Sequence, residues 1–590
     1  MSKKTILGSI SIIAVVLIGY MITPPSHKPG TYTAKISVDF EDFTVSLKFS
    51  FEVVDSFSVA QETVVFRNET TFTLDDEKIN VTIIAVGYDK FPLKPDSKAD
   101  FNIYIYVNGE HIYVRPTDVQ GIVSLPDGNY ENALILVHKG NLIFRFAIRY
   151  KAEIAIITFL LIAFLWLTEI IPLVASAILV PVISVVFGLS TAKAALAPMF
   201  DPVIALFLGG FLLARAMSKY QLDKRLALSL IARTNSPKQL AFLMMLTTTF
   251  LSFWMSNTAV AALMIPIALA LLKTIEKERG SSYGKAMILG IAYAATIGGM
   301  GTIIGSPPNA IAVSLLKDIA DIDLSFLEWM IFALPFTFLM LIIAFFYLNA
   351  VYSTRKDIQE GKIALEAINK EYIKLQLIEM GPLKKEEKLT IVILISTVFL
   401  WMTQKLPVSI MGWSGHGISS GIIALGSIVA LFTLGILDKS DLNKISWDTL
   451  LIFGGGIVLG NLLVASGMSE WIVAHVIGLR NPFIILVLIG FLSLVITAFA
   501  SNTAAAVILL PLAIPIGSAL GINPVIPALL VAIGTSTDFA LPIGTPPTML
   551  AYSTGYHKFR EIVKVGFPLM ILGILLLTLV VAPVWLILMG

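Results

Sequence analysis

From Ile154 to the last residue the chain is a succession of apolar runs, each about 17–25 residues long and set apart by short polar loops. Runs of that length match the hydrocarbon thickness of a bilayer. Inside it every backbone N–H and C=O must be satisfied within the segment, which leaves helices as the spanning structure. Composition agrees: 56% of the 590 residues are hydrophobic and 14% are charged, against about 25% charged in an ordinary soluble domain. A net charge of +2 gives no electrostatic footprint for nucleic acid. The chain has no cysteine, which excludes disulfides, thiol catalysis and thiolate metal sites. Its six histidines (His27, His111, His138, His416, His475 and His557) are scattered without metal-ligand spacing. A polytopic membrane protein that is not an enzyme is the expectation.

An internal repeat organises these runs. Spans are expected near 153–169, 171–189 and 201–218, then a hairpin pair at 239–272, a broken span at 286–318 and a span at 328–350. The second set lies near 388–403, 418–436 and 449–466, with a hairpin pair at 482–518, a broken span at 524–554 and a last span at 565–589. Gly209-Gly210 recurs as Gly454-Gly455, Ser256 as Ser501 and Pro266 as Pro511, each 245 residues later, and Gly305 recurs as Gly544, 239 later. The fold class expected is mostly α-helical, with about 11 spans in two inverted five-span repeats carrying re-entrant hairpins. The repeats occupy 151–351 and 388–590, joined by a cytoplasmic connector at 352–387.

The N-terminal quarter has another texture. Ile6 to Met21 is apolar behind Lys3 and Lys4, and residues 1–23 are expected to be a first, uncleaved span. Between 24 and 150, Phe43, Val45, Leu47, Phe49, Phe51 and Val53 alternate with polar residues, the period of a half-buried strand. Phe101 to Val107, Asn108-Gly109 and His111 to Val114 read as a hairpin with a tight primed turn. Further strands are expected at Thr63–Leu74, Asn80–Val86, Asn132–His138 and Leu142–Ile148, together making a small β-sandwich. Asn68-Glu69-Thr70 and Asn80-Val81-Thr82 match the glycosylation sequon, a weak signal by itself.

Loop charge predicts the orientation. Arg355, Lys356, Lys362, Lys370, Lys374, Lys384 and Lys385 crowd the connector, and Arg215, Lys219, Lys224, Arg225, Arg233 and Lys238 crowd 215–238. These fall on one side, with the loops at Lys273–Lys285 and Lys558–Lys564, if the N-terminus is cytoplasmic and each hairpin returns to the side it left. The sandwich and the C-terminus are then outside.

The chemistry is expected where polar residues interrupt the runs. Ser256-Asn257-Thr258 and Ser501-Asn502-Thr503 stand at the hairpin tips. Some fifty residues on, Gly301-Thr302-Ile303-Ile304-Gly305-Ser306-Pro307-Pro308-Asn309 and Pro542-Ile543-Gly544-Thr545-Pro546-Pro547-Thr548 break a helix. Polar groups at such depth are costly unless turned toward each other or a ligand. New half-helices start at these points and attract anions, while the ends of preceding half-helices offer carbonyls to cations. Yet segments 239–272, 286–316 and 482–554 contain no Lys or Arg. A dianion bound there has no fixed positive side chain to balance it, and burying it uncompensated would cost several kcal/mol or more. Co-bound cations resolve this, so cation-coupled symport is inferred.

These residues resemble the divalent anion:sodium symporter family, the sodium-dependent dicarboxylate, citrate and sulfate carriers, over roughly residues 150–590. The paired Ser-Asn-Thr motifs carry the likeness, with Thr535-Ser536-Thr537-Asp538-Phe539-Ala540-Leu541-Pro542-Ile543-Gly544 similar to the start of the family's C-terminal signature. The resemblance implies an elevator-type homodimer coupled to sodium at about two sites. One site would involve Ser252, Ser256, Asn257 and Gly305; the other Thr497, Ala500, Asn502 and Gly544. Asn257, Thr258, Asn502 and Thr503 would hold the two ends of the substrate, helped by Ser306 and Thr545. Two positions depart from the family pattern: Thr548 stands where an Asn is usual, and Asp538 where the residue is usually neutral. The expected function is sodium-coupled symport of a small divalent anion, with a C4 dicarboxylate such as succinate as substrate. The alternatives are a dicarboxylate exchanger or sulfate carrier of the same fold, and more remotely an arsenite or sodium/proton type transporter.

Overall fold

The computed structural model describes the backbone of eight strands within residues 30–130, and residues 144–589 apart from 235, 277–279, 361–362, 364–369, 407–412, 466–480 and 543. The expected span at 1–23 and the expected strand at Asn132–His138 lie outside the described residues. The chain divides into two compact units, one carrying the strands and one made of residues 158–185 and 190–590.

In the first unit, β1 (Gly30–Asp39), β2 (Thr44–Val53), β7 (Val119–Leu125) and β8 (Gly128–Tyr130) form one four-stranded sheet in the order β2-β1-β7-β8. A second sheet orders β3 (Thr63–Leu74), β4 (Glu77–Gly87), β5 (Phe101–Val107) and β6 (Glu110–Ile112) consecutively. All pairings are antiparallel. Val107 opposes Glu110 across Asn108-Gly109, the two-residue connection that Asn-Gly favours because both positions tolerate positive φ. Of the strand expected at Leu142–Ile148, the described part, from Phe144 on, is instead the first part of α1 (Phe144–Thr168), a 25-residue helix in which no Gly or Pro separates it from the apolar run beginning at Ile154.

The second unit is helical. After α2 (Leu173–Val186), the chain passes through α3 (Pro202–Lys219) and α4 (Leu222–Ile231). It then forms α5 (Pro237–Ser252), α6 (Asn257–Ile275), α7 (Ser282–Gly299), α8 (Pro307–Ala320) and α9 (Phe326–Val351). A second series follows: α10 (Lys385–Thr403), α11 (Ser420–Thr433), α12 (Trp447–Ala465), α13 (Pro482–Thr497), α14 (Asn502–Ala519), α15 (Val525–Thr535), α16 (Pro546–Ser553) and α17 (Phe559–Leu576). Among the described residues, six stretches are long and apolar enough to cross a membrane: Ala192–Lys219, Asn257–Ile275, Phe326–Val351, Trp447–Val464, Asn502–Ala519 and Phe559–Met589.

Both breaks follow from the sequence. Pro307-Pro308 and Pro546-Pro547 occupy the first two positions of α8 and α16. Proline fits there because it needs no N–H donor, whereas further inside a helix it would strip a hydrogen bond and clash with the preceding turn. The packing across the breaks is reciprocal. The α8 helix of the first series lies against α14 and α15 of the second, and α16 of the second lies against α6 and α7 of the first.

Polar bridges tie together segments far apart in sequence. Asp441 takes Arg215 Nε at 2.8 Å and Lys219 Nζ at 2.6 Å. Arg225 reaches Glu387 at 3.2 Å, Lys285 reaches Glu561 at 2.9 Å and Tyr556 donates to Glu276 at 2.8 Å. Lys405 meets Glu328 at 3.3 Å, and Asn461 donates to Asp318 at 2.9 Å. For each pair, the expected alternating threading puts both partners toward the same side.

Candidate functional site

The Ser-Asn-Thr motifs are helix starts. Ser256 is the N-cap of α6, its hydroxyl accepting from the Ala259 amide at 3.3 Å, and Ser501 caps α14 by accepting from Ala504 at 3.3 Å. Capping fixes what remains available. The amides of Asn257 and Thr258, and of Asn502 and Thr503, fall in the first turn and have no carbonyl four residues back within the helix. Ser256, expected among the cation ligands, accepts the Ala259 amide through its hydroxyl and the Val260 amide through its carbonyl, at 3.1 Å.

Each tip is braced in the same way. Ser252 Oγ lies 2.7 Å from Asn257 Oδ1 and donates to the Ala295 carbonyl at 2.7 Å. Thr497 Oγ1 lies 2.8 Å from Asn502 Oδ1 and donates to the Thr535 carbonyl at 2.7 Å. The hydroxyl therefore holds the tip asparagine against the last turns of α7 or α15, just before the break. Ser252 and Thr497 are fully buried, while Asn257 and Asn502 are half-buried and open on one side.

Around the first tip, three oxygens converge on one end of the Asn257 amide: Ser252 Oγ at 2.7 Å, the Ala295 carbonyl at 3.0 Å and the Gly305 carbonyl at 3.3 Å. An amide nitrogen turned to that end donates to them. The Ser252 hydroxyl and the Ala295 and Gly305 carbonyls gathered there are neutral oxygens, the donor type that suits a hard cation such as sodium. Gly305 is needed for this closeness, since a Cβ there would stand 2.7 Å from the Gly299 carbonyl and 3.0 Å from the Ser252 carbonyl. In the second half Thr497, Asn502 and the Thr535 carbonyl are brought together. Ala500 is buried in the turn before α14, and Gly544 lies beside the Asp538 carboxylate.

Ser306 and Thr545 occupy equivalent positions in extended backbone (φ −145°, ψ 141° and φ −131°, ψ 140°), each N-terminal to a Pro-Pro pair and neither capping its helix. Ser306 Oγ sits 3.4 Å from Ser536 Oγ, a contact between the two series, and Thr545 Oγ1 sits 2.8 Å from Thr548 Oγ1. The prolines remove two N–H groups from each of these helix starts. Backbone donors for an anion are therefore concentrated at α6 and α14 instead, with Ser306 and Thr545 contributing hydroxyls.

Three further contributors brace the breaks: Thr302 and Tyr293, which had no separate signal in the sequence, and Asn309, the first-repeat counterpart of the position where Thr548 stands in place of the family's usual Asn. Thr302 Oγ1 donates to the Phe253 carbonyl at 2.6 Å and accepts from Gly305 N at 3.1 Å, clamping tip to break. Asn309 Nδ2 donates to the Gly299 and Thr302 carbonyls at 2.9 and 2.7 Å. Tyr293 OH donates to the Phe539 carbonyl at 2.9 Å, a second tie between the series. Thr302 and Asn309 stand within the recognised break, but a hydroxyl that clamps a loop looks in sequence like one that packs a helix.

The comparisons bear on this geometry. Residues 146–590 match the family model described as the sodium:sulfate symporter transmembrane region. An uncharacterized transporter of Haemophilus influenzae is 34% identical over 427 residues, covering 71% of this chain and 88% of its own length. The sodium-dependent dicarboxylate transporter SdcS of Staphylococcus aureus (strain USA300) is 31% identical over 451 residues, covering 72% and 84%. Its Staphylococcus saprophyticus counterpart is 30% identical over 436 residues, covering 70% and 83%. Among solved structures, Neisseria gonorrhoeae MtrF aligns with a TM-score of 0.49 at 14% identity, covering 69% of this chain and 85% of that one. With a family match over its whole helical part and relatives above 30% identity, the chain belongs to the divalent anion:sodium symporter family.

Proposed function

We propose that this protein couples the inward movement of sodium to uptake of a small divalent anion, with a C4 dicarboxylate such as succinate as substrate. The observation that carries the reading is the pair of equally braced asparagine tips in segments that hold no basic side chain. Two such tips offer first-turn amides and asparagine side chains to the two ends of a dicarboxylate. Sodium held by Ser252, Ser256, Asn257 and Gly305, and by Thr497, Ala500, Asn502 and Gly544, would supply the missing positive charge. Asn257, Thr258, Asn502 and Thr503, with Ser306 and Thr545, would orient the anion. The SdcS relatives, described as sodium-dependent dicarboxylate transporters, point to the same substrate class.

The finer architecture belongs to the same proposal. Reciprocal packing of α8 and α16 supports two repeats related by a pseudo-twofold axis, and the polar bridges are consistent with their inverted, multi-span threading. The basic loops are placed in the cytoplasm by the positive-inside rule, with residues 24–150, as a sandwich, and the C-terminus outside. An elevator movement of the site within a homodimer fits this plan.

The test is uptake of labelled succinate into proteoliposomes under an imposed sodium gradient. Sodium-driven uptake that falls at least tenfold in Asn257→Ala and Asn502→Ala is expected. Uptake indifferent to sodium and to both substitutions overturns the reading, and an absolute need for internal dicarboxylate replaces symport by exchange.

A further inference from the structure

Asp538 is the only acidic residue between 482 and 554. It lies in the break after α15, and its side chain is fully buried. Among the described residues neither carboxylate oxygen has a hydrogen-bond partner; the Ala540 amide approaches it without reaching bonding geometry. The stretch 482–554 that carries it contains no Lys or Arg, and among the described residues no basic side chain pairs with it. A buried, ionised carboxylate without a counter-charge is among the costliest arrangements a protein can hold, so this side chain must either hold a proton or face a positive partner.

The repeat shows where that partner belongs. Asp538 precedes Gly544 by six residues, as Gly299 precedes Gly305. At Gly299 a Cβ would stand 2.4 Å from Asn257 Oδ1, so the first half has no room for a side chain at this place. The second half puts a carboxylate there, pressed on the backbone of Gly544, whose own Cβ would meet both Asp538 oxygens.

From this we infer that the Asp538 carboxylate is an anionic ligand of the second cation site, which makes the two halves of the pocket electrostatically unequal. The first half binds its cation with neutral oxygens and the second with a formal charge. Added ligand charge raises cation affinity, so the second site fills first and at lower sodium. The inference rests on the transport reading for the identity of the cation.

The experiment uses the full-length protein and two readouts, radiolabelled sodium binding to purified transporter and sodium-driven succinate uptake. Asp538→Asn and Asp538→Ala are expected to raise the half-saturating sodium concentration for binding by about tenfold or more. Both should remain folded, with a sodium-free melting temperature at or above that of the wild type, since each removes an unpartnered charge. Unchanged sodium binding in either folded variant overturns the inference. So does failure of both to fold, which would show a structural partner for the carboxylate. Sodium-free uptake driven by a pH gradient and lost in Asp538→Asn, with sodium binding intact, makes Asp538 a proton carrier and likewise overturns it. Wild-type protein whose sodium binding depends on Asp538 but which carries no dicarboxylate upholds the site while removing the substrate assignment; wild-type protein that binds no sodium removes both.

Discussion

Thr302→Val isolates the clamp between hairpin tip and helix break. Valine keeps the shape of threonine and the burial of the site, but it strands the buried Phe253 carbonyl and leaves the Gly305 amide only its 3.3 Å bond to the carbonyl of residue 302. A stranded buried polar group costs about 1–3 kcal/mol, and partial relaxation brings the expected total to about 1–2 kcal/mol. Because Gly305 and the end of α5 both border the first tip, most of this cost should appear as lost cation affinity. At about 1.4 kcal/mol per factor of ten, the sodium concentration for half-maximal uptake should rise roughly 5- to 30-fold, while maximal uptake in saturating sodium falls much less. Thr296→Val is the control. Its hydroxyl is equally buried, but it donates only to the Ala292 carbonyl one turn back in its own helix, at 3.3 Å. Equal sodium dependence in the two variants, measured in the same proteoliposomes, would refute the reasoning, because burial rather than the clamp would then set the effect.

Three further outcomes are expected. Gly299→Ala places a methyl group 2.4 Å from Asn257 Oδ1 and 2.7 Å from its nitrogen, so sodium-driven uptake should drop at least about tenfold at normal surface expression, an overpacking cost of about 1–3 kcal/mol. Asn309→Ala frees two carbonyls and should lower the melting temperature more than Thr548→Ala, whose hydroxyl meets only Thr545; loss of about 2 against about 1 kcal/mol is anticipated. Burial pushes the Asp441 carboxyl up, but Lys219, the Asp438 amide and Arg215 outweigh it and hold it below the usual carboxylate range. With the folded value lowered, the stability it contributes is complete at neutral pH and drains as pH falls below about 4, toward the folded value. Asp441→Asn should lower the neutral-pH melting temperature and flatten its acid dependence.

The apolar runs of the second unit were readable because spanning length is a coarse signal that survives any detail of packing. The helix breaks were readable for a similar reason: two prolines together can begin a helix but not continue one. Leu142–Ile148 failed because a short apolar run has no period of its own, and the helix that absorbs it is decided by the residues that follow. At the site, residue types pointed to the asparagine tips, yet Ser256 and Ser501 turned out to cap their helices. A serine before an asparagine satisfies a cap and a ligand pattern equally well in sequence. The carbonyls of Ala295 and Thr535 were invisible for a stronger reason, since every residue has one and only the fold chooses which is exposed.

The reciprocal packing changes what the repeat means physically. In each series the helix after the break leaves its own hairpin and lies against the other's, α8 on α14 and α15, α16 on α6 and α7. Ser306 with Ser536, and Tyr293 with Phe539, tie the breaks directly. A displacement of one tip relative to its break therefore drags a helix packed on the opposite tip. Two half-sites built in this way are linked mechanically, as the elevator movement proposed above would require of a pocket carried across the membrane as one body. On that proposal the interlocked helices carry the coupling, and the groups at their ends, Gly299 in one half and Asp538 in the other, are free to differ.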